Sequence, residues 1–354
     1  MPAAPVPSHM RREIEEIPDV VERVLDAVPD ELEAVADAIG RLRPRWVMVA
    51  ARGISDHAAV YAQYLIETHL GLPSGLAKPS VTTVYAADLA WHDGVLLAIS
   101  QSGQSPDIVG VVRAARDGGA LTIAITNEHP SPLAAAAEWQ VGCHAGRELA
   151  VPATKTYVAE LAVVASLVTA IRPDQALAEG LAALPAVLRA TIALTDTWLD
   201  GTGSDLLGAL VDGDRALLVS RGYNLATALE LALKLKETCG LFAEAYSTAD
   251  FAHGPLVLAQ AAVPIIGIRP DGAVGVLVDR TLEDAVGRGG PAAVIGGPEA
   301  SRIPGALSLP SVLPEALTPL QFVMPGQLLV EATARGRGIS PDAPIGLEKV
   351  TRTR

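Results

Sequence analysis

The sequence predicts an α/β protein made of two tandem copies of one domain, each a mainly parallel sheet flanked by helices. Two observations indicate this fold class: a strand–glycine–helix unit that recurs in the chain, and apolar strand-like runs that alternate with helices. The length of 354 residues fits two domains, since roughly 150 residues per domain is typical. Half of the residues are hydrophobic but only 4% are aromatic, so we expect a core of Ala, Val, Leu and Ile.

The recurring unit is a buried strand that ends in Arg-Gly, followed by a helical stretch and a closing glycine. Arg52–Gly53 and Arg221–Gly222 are 169 positions apart (221 − 52), and so are Gly71 and Gly240 (240 − 71). Two such units in one register indicate a duplicated domain of about that size. The strands and helices predicted for the unit are 46–53 and 57–70 in the first copy, and 216–222 and 225–238 in the second.

The rest of each copy alternates between apolar runs and helices. Continuous β-branched runs separated by helices predict parallel sheets that are covered on both faces. The alanine-rich stretch 175–199 is expected to be a helix that joins the copies, and a long helix is expected near 317–334. The further predicted elements are strands 95–99 and 121–126 with helix 107–117, and strands 263–268 and 292–297 with helix 274–286.

The predicted domain organisation has five segments. By composition alone, the Gly- and Pro-containing C-terminal tail is expected to be a frayed terminus. The segments are an N-terminal helical segment (1–30), a first domain (31–173), a linking helix (174–199), a second domain (200–337) and the tail (338–354).

The composition argues against several classes of protein. With 27 Lys and Arg against 40 Asp and Glu, the net charge is −13, which disfavours a surface for nucleic acid or for anionic lipid. Cys143 and Cys239 cannot form a disulfide framework, so we expect a reduced, cytoplasmic protein. No secretion signal is visible, and the longest nearly apolar run, 157–171, is interrupted by Glu160 and is too short to cross a bilayer.

Sequence motifs for common cofactors are missing. No GxGxxG follows the first strand, and neither a GxxxxGK[ST] phosphate loop nor a GxSxG nucleophile elbow occurs. The seven histidines show no metal-ligand spacing with one another or with a cysteine. We therefore expect neither a cofactor nor a metal.

The strongest motif is SQSGQSPD at 100–107, directly after a buried strand and directly before a helix. Ser105 fits the N-cap position and Pro106 the first helical position, where its missing N–H costs nothing. Free N–H groups at such a helix start, ringed by three hydroxyls and one amide, can bind phosphate without a lysine. A Ser-rich turn that only caps the helix explains the same pattern equally well.

A second candidate site lies on the helix of the second copy, within ALELALKLKE. Lys234 and Glu237 are three positions apart and share a face, with Glu230 one turn behind Lys234. The first copy has Leu65 and Thr68 at the corresponding positions, so a site here would belong to one copy only. A helix-surface ion pair is the commoner explanation of such a pattern, but these charges interrupt a helix that should be covered by the sheet.

Two further segments carry groups suited to proton transfer or hydrogen bonding. His253 stands in Ala-His-Gly-Pro. A lone loop histidine is more often structural than catalytic, although imidazole is the side chain best suited to proton transfer near neutral pH. Thr154, Lys155 and Thr156 stand at a predicted helix start and could supply hydroxyl and N–H donors.

Taken together, these motifs resemble the sugar isomerase (SIS) superfamily. More narrowly, they are similar to the double-SIS isomerase half of glutamine–fructose-6-phosphate aminotransferase and to stand-alone glucosamine-6-phosphate deaminases of the SIS type. The likeness begins at MRREI (10–14) and covers nearly the whole chain, and it implies two tandem SIS domains of the flavodoxin-like, three-layer type. The segments that carry it are SQSGQSPD, VPATKTY at 151–157, RGYNLATALELALKLKE, DFAHGP and the tail PIGLEKVT.

The resemblance implies roles for individual residues. Glu237 would move a proton between C1 and C2 of a 6-phosphorylated sugar, with Lys234 assisting. His253 would open the sugar ring from the neighbouring subunit of a homodimer, and Lys349 would reach the open-chain carbonyl from the tail. The residues implied to bind the substrate are Ser100, Gln101, Ser102 and Ser105 at the phosphate, and Ser55, Val151 and Ala153 at the sugar.

The same resemblance frames the expected reaction. Pro2 follows Met1 where a glutaminase half needs a nucleophilic cysteine, so we expect glucosamine 6-phosphate and water to yield fructose 6-phosphate and ammonia. Ala153 stands where the aminotransferases usually carry a serine, and Gln104 where a glutamate is usual, which leaves the identity of the sugar open. The alternatives are a relative acting on another phosphosugar or a sugar–amino-acid conjugate, and a non-catalytic regulator that binds a sugar phosphate.

Overall fold

The computed structural model describes residues 7–259, 263–310 and 313–349. Its strands form two five-stranded sheets, and every described strand pair is parallel. The strands are β1 (Trp46–Ala50), β2 (Ser74–Leu76), β3 (Gly94–Ile99), β4 (Leu121–Thr126), β5 (Trp139–Gly142), β6 (Arg215–Ser220), β7 (Phe242–Ser247), β8 (Ile265–Arg269), β9 (Ala292–Gly296) and β10 (Leu307–Ser308).

The two sheets have the same topology. The first has the order β2-β1-β3-β4-β5 and the second β10-β9-β8-β6-β7, which is the same order read from the other edge. Ala50 of β1 pairs with Ala98 of β3, and Val219 of β6 pairs with Gly267 of β8, so both partners shift by 169 positions. The predicted duplication and the predicted fold class, tandem α/β domains with parallel sheets, are confirmed.

Helices flank both sheets, and several begin with proline, which fits the first turn because its missing N–H has no intrahelical partner there. Helix α4 (Ile54–Leu65) continues into a π-helical turn at Ile66–Leu70. The α-helices are α1 (His9–Glu15), α2 (Ile17–Ala27), α3 (Pro29–Leu42), α4 (Ile54–Leu65), α5 (Pro79–Thr83), α6 (Pro106–Asp117), α7 (Pro132–Ala136), α8 (Lys155–Ile171), α9 (Gln175–Asp200), α10 (Ser204–Asp212), α11 (Leu225–Cys239), α12 (Thr248–Ala252), α13 (Ala273–Val286) and α14 (Thr318–Gly336).

The glycines of the repeat have the same backbone conformation in both copies. Gly53 and Gly222 have φ angles of 59° and 67°, and Gly71 and Gly240 have φ angles of 69° and 66°. These left-handed values are unfavourable for residues with a Cβ. The spacing of the glycines in the sequence therefore reflects two turns that each copy requires.

The chain divides into two compact units. The first unit consists of Asp19–Arg147 and Lys155–Pro185 and contains the first sheet. The second unit contains the second sheet and consists of Glu148–Thr154, Ala186–Lys349 and the N-terminal residues through Pro18. The short segment 148–154 therefore belongs to the second unit, although the chain on both sides of it belongs to the first. Residues 350–354 of the predicted tail, including the last two of PIGLEKVT, and residues 1–6 of the predicted N-terminal segment lie outside the described residues.

Helix α9 is long and apolar enough to cross a membrane by length and composition. Its best 18-residue window has a mean hydropathy of 1.5, and 39% of that window is buried. The sequence predicted a helix at 175–199, but only the run 157–171 was compared with the length of a membrane span. Core helices of water-soluble proteins pass the same test, and here Asp196 and Trp198 form hydrogen bonds to Arg11 and to the carbonyl of Gly305.

Candidate functional site

The predicted anion-binding loop, residues 100–105, joins β3 to α6 in the first unit. Ser105 is the N-cap residue and Pro106 the first residue of α6, as the sequence predicts, although the Ser105 hydroxyl makes no capping hydrogen bond. Gly103 has a φ of 60°, and a Cβ there would collide with the side chain of Ser131. The close approach of this loop to the start of α7 therefore requires glycine.

Hydrogen bonds fix the shape of the loop and leave several of its donors free. The Ser100 hydroxyl accepts from Gly103 N–H (3.2 Å), and the Ser102 hydroxyl accepts from Gln104 N–H (3.3 Å). These groups lie at the start of a 12-residue helix, whose dipole favours an anion. The main-chain N–H groups that donate to no other described group are those of Gln101, Ser102 and Ser105.

An ion pair borders the loop. Asp107, in the first turn of α6, has a side chain that is 3% exposed, and its Oδ1 accepts from Ile108 N–H at 2.9 Å. Its Oδ2 accepts from Nε of Arg52 at 2.8 Å. This pair was not predicted, because the partners are 55 residues apart and only the adjacency of β1 and β3 brings them together.

Ser55, predicted to line a sugar pocket, lies in the first turn of α4 and is buried. Its hydroxyl donates to Oε1 of Glu160 on α8, 2.7 Å away. Glu160 is fully buried; burial, together with Glu160 and Glu31, raises the pKa of the Cys143 thiol well above its ordinary value. The structure thus shows what holds the Ser55 hydroxyl in place, and its contact with a sugar stays a prediction.

In the second unit, helix α11 carries a charged cluster inside the fold. Nζ of Lys234 lies 2.7 Å from Oε2 of Glu237 and 3.5 Å from Oε1 of Glu230. The Lys234 and Glu230 side chains are fully buried, whereas the Glu237 side chain is 26% exposed. The burial of Lys234 and Glu230 contradicts a helix-surface ion pair, which is the commoner explanation of such a sequence pattern.

The protonation of Lys234 follows from its neighbours. Burial opposes the charge, but Glu230, Glu237 and, more weakly, Glu148 outweigh it and raise the pKa of the Lys234 ammonium above its ordinary value. Lys234 is therefore a fixed cation and a hydrogen-bond donor rather than a base. Glu237 is the one member of the cluster whose side chain is partly exposed.

Lys349 is the second candidate cation of this unit. Its ammonium donates to the carbonyl of Ala150 at 2.6 Å and to Oε2 of Glu148 at 3.4 Å. Glu148 is buried, and its other oxygen accepts from Thr154 N–H at 2.7 Å. Since Glu148 also acts on the pKa of Lys234, Glu148 connects Lys349 electrostatically with the α11 cluster.

The segment 148–154, which contains Val151 and Ala153, is held by groups that sequence reasoning did not identify. The buried carboxylate of Glu13 on α1 accepts the N–H groups of both Leu149 and Ala150. A signal for Glu13 was present, because it stands on the apolar face of α1 with Met10 and Ile14, where a carboxylate requires buried donors.

The tail is better ordered than its composition suggested. Asp342 accepts the N–H groups of His9 and Met10 at 2.9 and 2.8 Å, and its carbonyl accepts from Val151 N–H at 2.8 Å. The expectation of a frayed terminus was therefore wrong for the tail up to Lys349. The expectation was based on composition alone. Composition does not show that Asp342 caps α1 and accepts a hydrogen bond from segment 148–154.

His253 follows α12 and is exposed. Its imidazole forms no hydrogen bond or ion pair with any residue in the described part of the chain, and its ring-opening role stays a prediction. No group of three or more His, Cys, Asp or Glu side chains among the described residues is placed to hold a metal ion.

A parallel sheet of the order 2-1-3-4-5 flanked by helices defines a doubly wound α/β protein, a class whose members bind ligands at the carboxyl ends of the strands. The SIS-domain family model matches residues 43–170 and 209–304. The chain belongs to the SIS-domain family.

Relatives of known name are consistent with this membership. Glutamine–fructose-6-phosphate aminotransferase of Zymomonas mobilis is 31% identical over 317 residues, which is 86% of this chain and 51% of that protein. The chain thus spans about half the length of the curated relatives it matches.

Solved structures resemble the chain over nearly its full length. A candidate phosphosugar isomerase from Silicibacter pomeroyi is 37% identical, with a TM-score of 0.85 over 95% of this chain and 100% of that one. Glucosamine-6-phosphate deaminase of Thermotoga maritima is 21% identical, with a TM-score of 0.76 over 98% and 100%; at that identity the likeness shows the fold alone.

Proposed function

We propose that the protein is a sugar-phosphate isomerase/deaminase that converts glucosamine 6-phosphate and water into fructose 6-phosphate and ammonia. The observation that carries the proposal is the α11 cluster, in which a buried, charged Lys234 holds a part-exposed Glu237 at 2.7 Å. The similarity of the chain to glutamine–fructose-6-phosphate aminotransferase favours an amino-sugar phosphate as substrate.

The reaction requires a proton to leave C2 of the open-chain sugar and return to C1, while the amine at C2 loses a proton and the C1 oxygen gains one. A single carboxylate that reaches both carbons suits this transfer, so we assign it to Glu237. Lys234, whose ammonium lies 2.7 Å from the Glu237 carboxylate, is proposed to orient that carboxylate and to stabilise negative charge that develops on the sugar oxygen. The product imine at C2 then adds water and releases ammonia, which leaves the ketone of fructose 6-phosphate.

Lys349 is proposed to bind the carbonyl oxygen of the open chain. Two of its three N–H donors are used within the described residues, on Ala150 and Glu148, so one remains for a ligand. In the first unit, the N–H groups and hydroxyls of residues 100–105 are proposed to bind the phosphate.

The remaining predictions are part of the same proposal. Ser55, Val151 and Ala153 would contact the sugar. His253 would open the ring, and its exposure and lack of a partner in the described chain fit a side chain that acts in a neighbouring copy of a homodimer. The protein is proposed to act in the cytoplasm.

A relative that acts on another phosphosugar or on a sugar–amino-acid conjugate is the second candidate, because Ala153 supplies no hydroxyl at a position proposed to face the sugar. The buried cluster on α11 argues against the third candidate, a regulator that only binds, since three buried or half-buried charges are costly to maintain without a use.

Incubation of the purified protein with glucosamine 6-phosphate, with measurement of released ammonia and fructose 6-phosphate, tests these candidates. Formation of both products at equal rates supports the proposal. Turnover of another sugar in a panel of phosphosugars and sugar–amino-acid conjugates, without ammonia release from glucosamine 6-phosphate, would support the second candidate. Binding across the panel without any turnover would support the regulator.

A further inference from the structure

Arg52 follows β1 at the point where the strand order of the first sheet reverses. β1 and β3 are neighbours, with Ala50 opposite Ala98, and the chain leaves them toward opposite sides in the order 2-1-3-4-5. In open parallel sheets, ligands bind in the crevice at the carboxyl ends of two such strands. The turn that contains Arg52 and the loop 100–105 come from these two strand ends.

The guanidinium of Arg52 is anchored but only partly used. Its Nε donates to Asp107 at 2.8 Å, while the Arg52 side chain remains 48% exposed. Within the ranges that the structure describes, its two terminal nitrogens form no hydrogen bond or ion pair. Arg52 is therefore held at the start of α6 with up to four N–H donors still available.

The negative charge of Asp107 beside the loop affects how the loop could bind an anion. Asp107 is the one ionisable residue in the motif 100–107, and its buried carboxylate near the loop would repel a phosphate dianion. Arg52 neutralises that carboxylate and still presents donors with the planar geometry that matches phosphate oxygens.

We propose that Arg52 is a phosphate-binding residue of the first unit, whose terminal N–H groups bind the sugar phosphate held by residues 100–105. This inference rests on the proposed function and adds a cationic contact to a loop that otherwise offers neutral donors. The role was not expected from the sequence, where Arg52 was only a marker of the repeat.

The duplication supplies a matched control. Arg221 occupies the corresponding position after β6, 169 residues later, and is also exposed. It forms no ion pair with a described residue, and the strand next to β6 is followed by Pro-Asp-Gly rather than by a serine-rich loop. Loss of Arg221 removes the same charge from the chain without removing a residue of the proposed phosphate site.

The test is the dissociation constant of inorganic phosphate for the full-length protein, measured by ³¹P NMR titration at fixed ionic strength. Arg52→Met is expected to weaken binding about tenfold or more, as for loss of hydrogen bonds to a charged group, and Arg221→Met to leave it unchanged. Arg52→Lys is expected to fall in between, because a lysine cannot keep the Asp107 contact and bind phosphate with a planar pair of donors.

A double variant separates direct binding from neutralisation of Asp107. Arg52→Met with Asp107→Asn leaves no unpaired buried charge, so it is expected to fold, and it should still bind phosphate about tenfold more weakly if Arg52 contacts the anion. Wild-type affinity in the double variant, or in Arg52→Met itself, would overturn the proposed contact. Melting temperatures of all variants show that binding is compared between folded proteins.

Phosphate binding by Ser102→Ala distinguishes failure of the Arg52 contact from failure of the proposed loop site. Weaker binding in Ser102→Ala but not in Arg52→Met would overturn the Arg52 contact and leave the loop as the phosphate site. Weaker binding in Arg52→Met alone would support Arg52 and remove the Ser102 hydroxyl from the site. A wild-type protein that binds no phosphate would overturn both the loop site and the Arg52 contact.

Discussion

The two copies of the fold differ most where their third strands end. Ser100 follows β3, and the residue 169 positions later is Arg269, the last residue of β8. In the first copy the next residues form the loop 100–105, in which the N–H groups of Gln101, Ser102 and Ser105 donate to no other described group. In the second copy the Arg269 guanidinium is buried and bound by carboxylates: Asp279 at 2.7 and 2.8 Å, Glu299 at 3.2 Å and Asp271 at 3.3 Å.

The turn after the first strand is also more open in the first copy than in the second. A Cβ at Gly53 would meet nothing within 4 Å, whereas one at Gly222 would lie 3.4 Å from a carboxylate oxygen of Glu315. The second copy has thus filled with its own side chains the region that the first copy leaves open. A duplicated fold can keep its topology and register while the two copies differ in how far this region is filled.

The helices that follow the first strands, α4 and α11, also differ, but here the second copy carries the charged groups. α11 carries the buried Lys234 paired with the partly exposed Glu237. The first copy has Leu65, which is buried, and Thr68, whose hydroxyl donates to the carbonyl of Tyr64 at 2.6 Å. The proposed phosphate-binding groups and the proposed proton-transfer groups therefore belong to different copies. Substitutions at matched positions test this division.

The largest expected effect is that of Glu237→Gln on catalysis. Loss of a general base lowers kcat by about 10²–10⁴-fold, whereas the matched change Thr68→Val in the first copy should leave kcat unaltered. Initial rates of fructose 6-phosphate formation measure both. Near-wild-type kcat in Glu237→Gln would break the assignment of proton transfer to the second copy.

The second effect concerns stability. Arg269→Met leaves Asp279, Glu299 and Asp271 without their common cation, and we expect a loss of about 2 kcal/mol in the free energy of unfolding, below the range for fully buried pairs because these carboxylates are partly exposed. Urea denaturation measures it. The phosphate dissociation constant should not change, and a change of more than about twofold would contradict the view that this loop no longer binds ligand.

A third, smaller effect separates the two loops by their kinetics. Ser102→Ala removes a hydroxyl proposed to bind the phosphate, so KM for glucosamine 6-phosphate should rise about tenfold while kcat changes little. Asp271→Asn, at the corresponding position in the second copy, should leave KM at its wild-type value. Equal KM values in the two variants would remove the proposed distinction between the loops.

The smallest effect is a pH dependence in the second copy. Burial raises the pKa of Glu315, so the folded protein holds this proton more tightly than the unfolded chain. The contribution of Glu315 to the free energy of unfolding is fully present below the pKa of this group in the unfolded chain, about 4.3. This contribution is lost as the pH rises through the higher pKa of Glu315 in the folded protein. Glu315→Gln should therefore stabilise the protein at pH 7 relative to wild type, with the difference vanishing below about pH 4; a constant difference from pH 4 to 8 would contradict this.

Sequence patterns predicted the central strands well and missed the strands at the edges of the sheets. β3, β4, β6 and β8 are continuous apolar runs with buried residues, as expected for strands covered on both faces. β2 is the short sequence Ser-Gly-Leu and is half-buried throughout, so it carries no such signal. An edge strand is defined by its partner and not by its own composition.

The candidate site was predicted to a similar extent. Local motifs indicated the 100–105 loop and the Lys234–Glu237 pair, because their spacing alone places them at a helix start or on one helix face. The partners Arg52–Asp107 and Ser55–Glu160, and the carboxylates of Glu13 and Glu148 that hold segment 148–154, were not predicted. Each of them depends on residues from separate elements being packed together.

The sequence by itself determined the duplication, the parallel α/β class and the chemical type of two polar motifs, since periodicity, glycine spacing and helix capping act over a few residues. The tertiary structure alone decided which charges are buried, which lysine is a fixed cation and which loop is filled by its own arginine. Those properties arise from burial and from Coulomb interactions at a few ångströms, and neither can be known until distant segments of the chain have packed together.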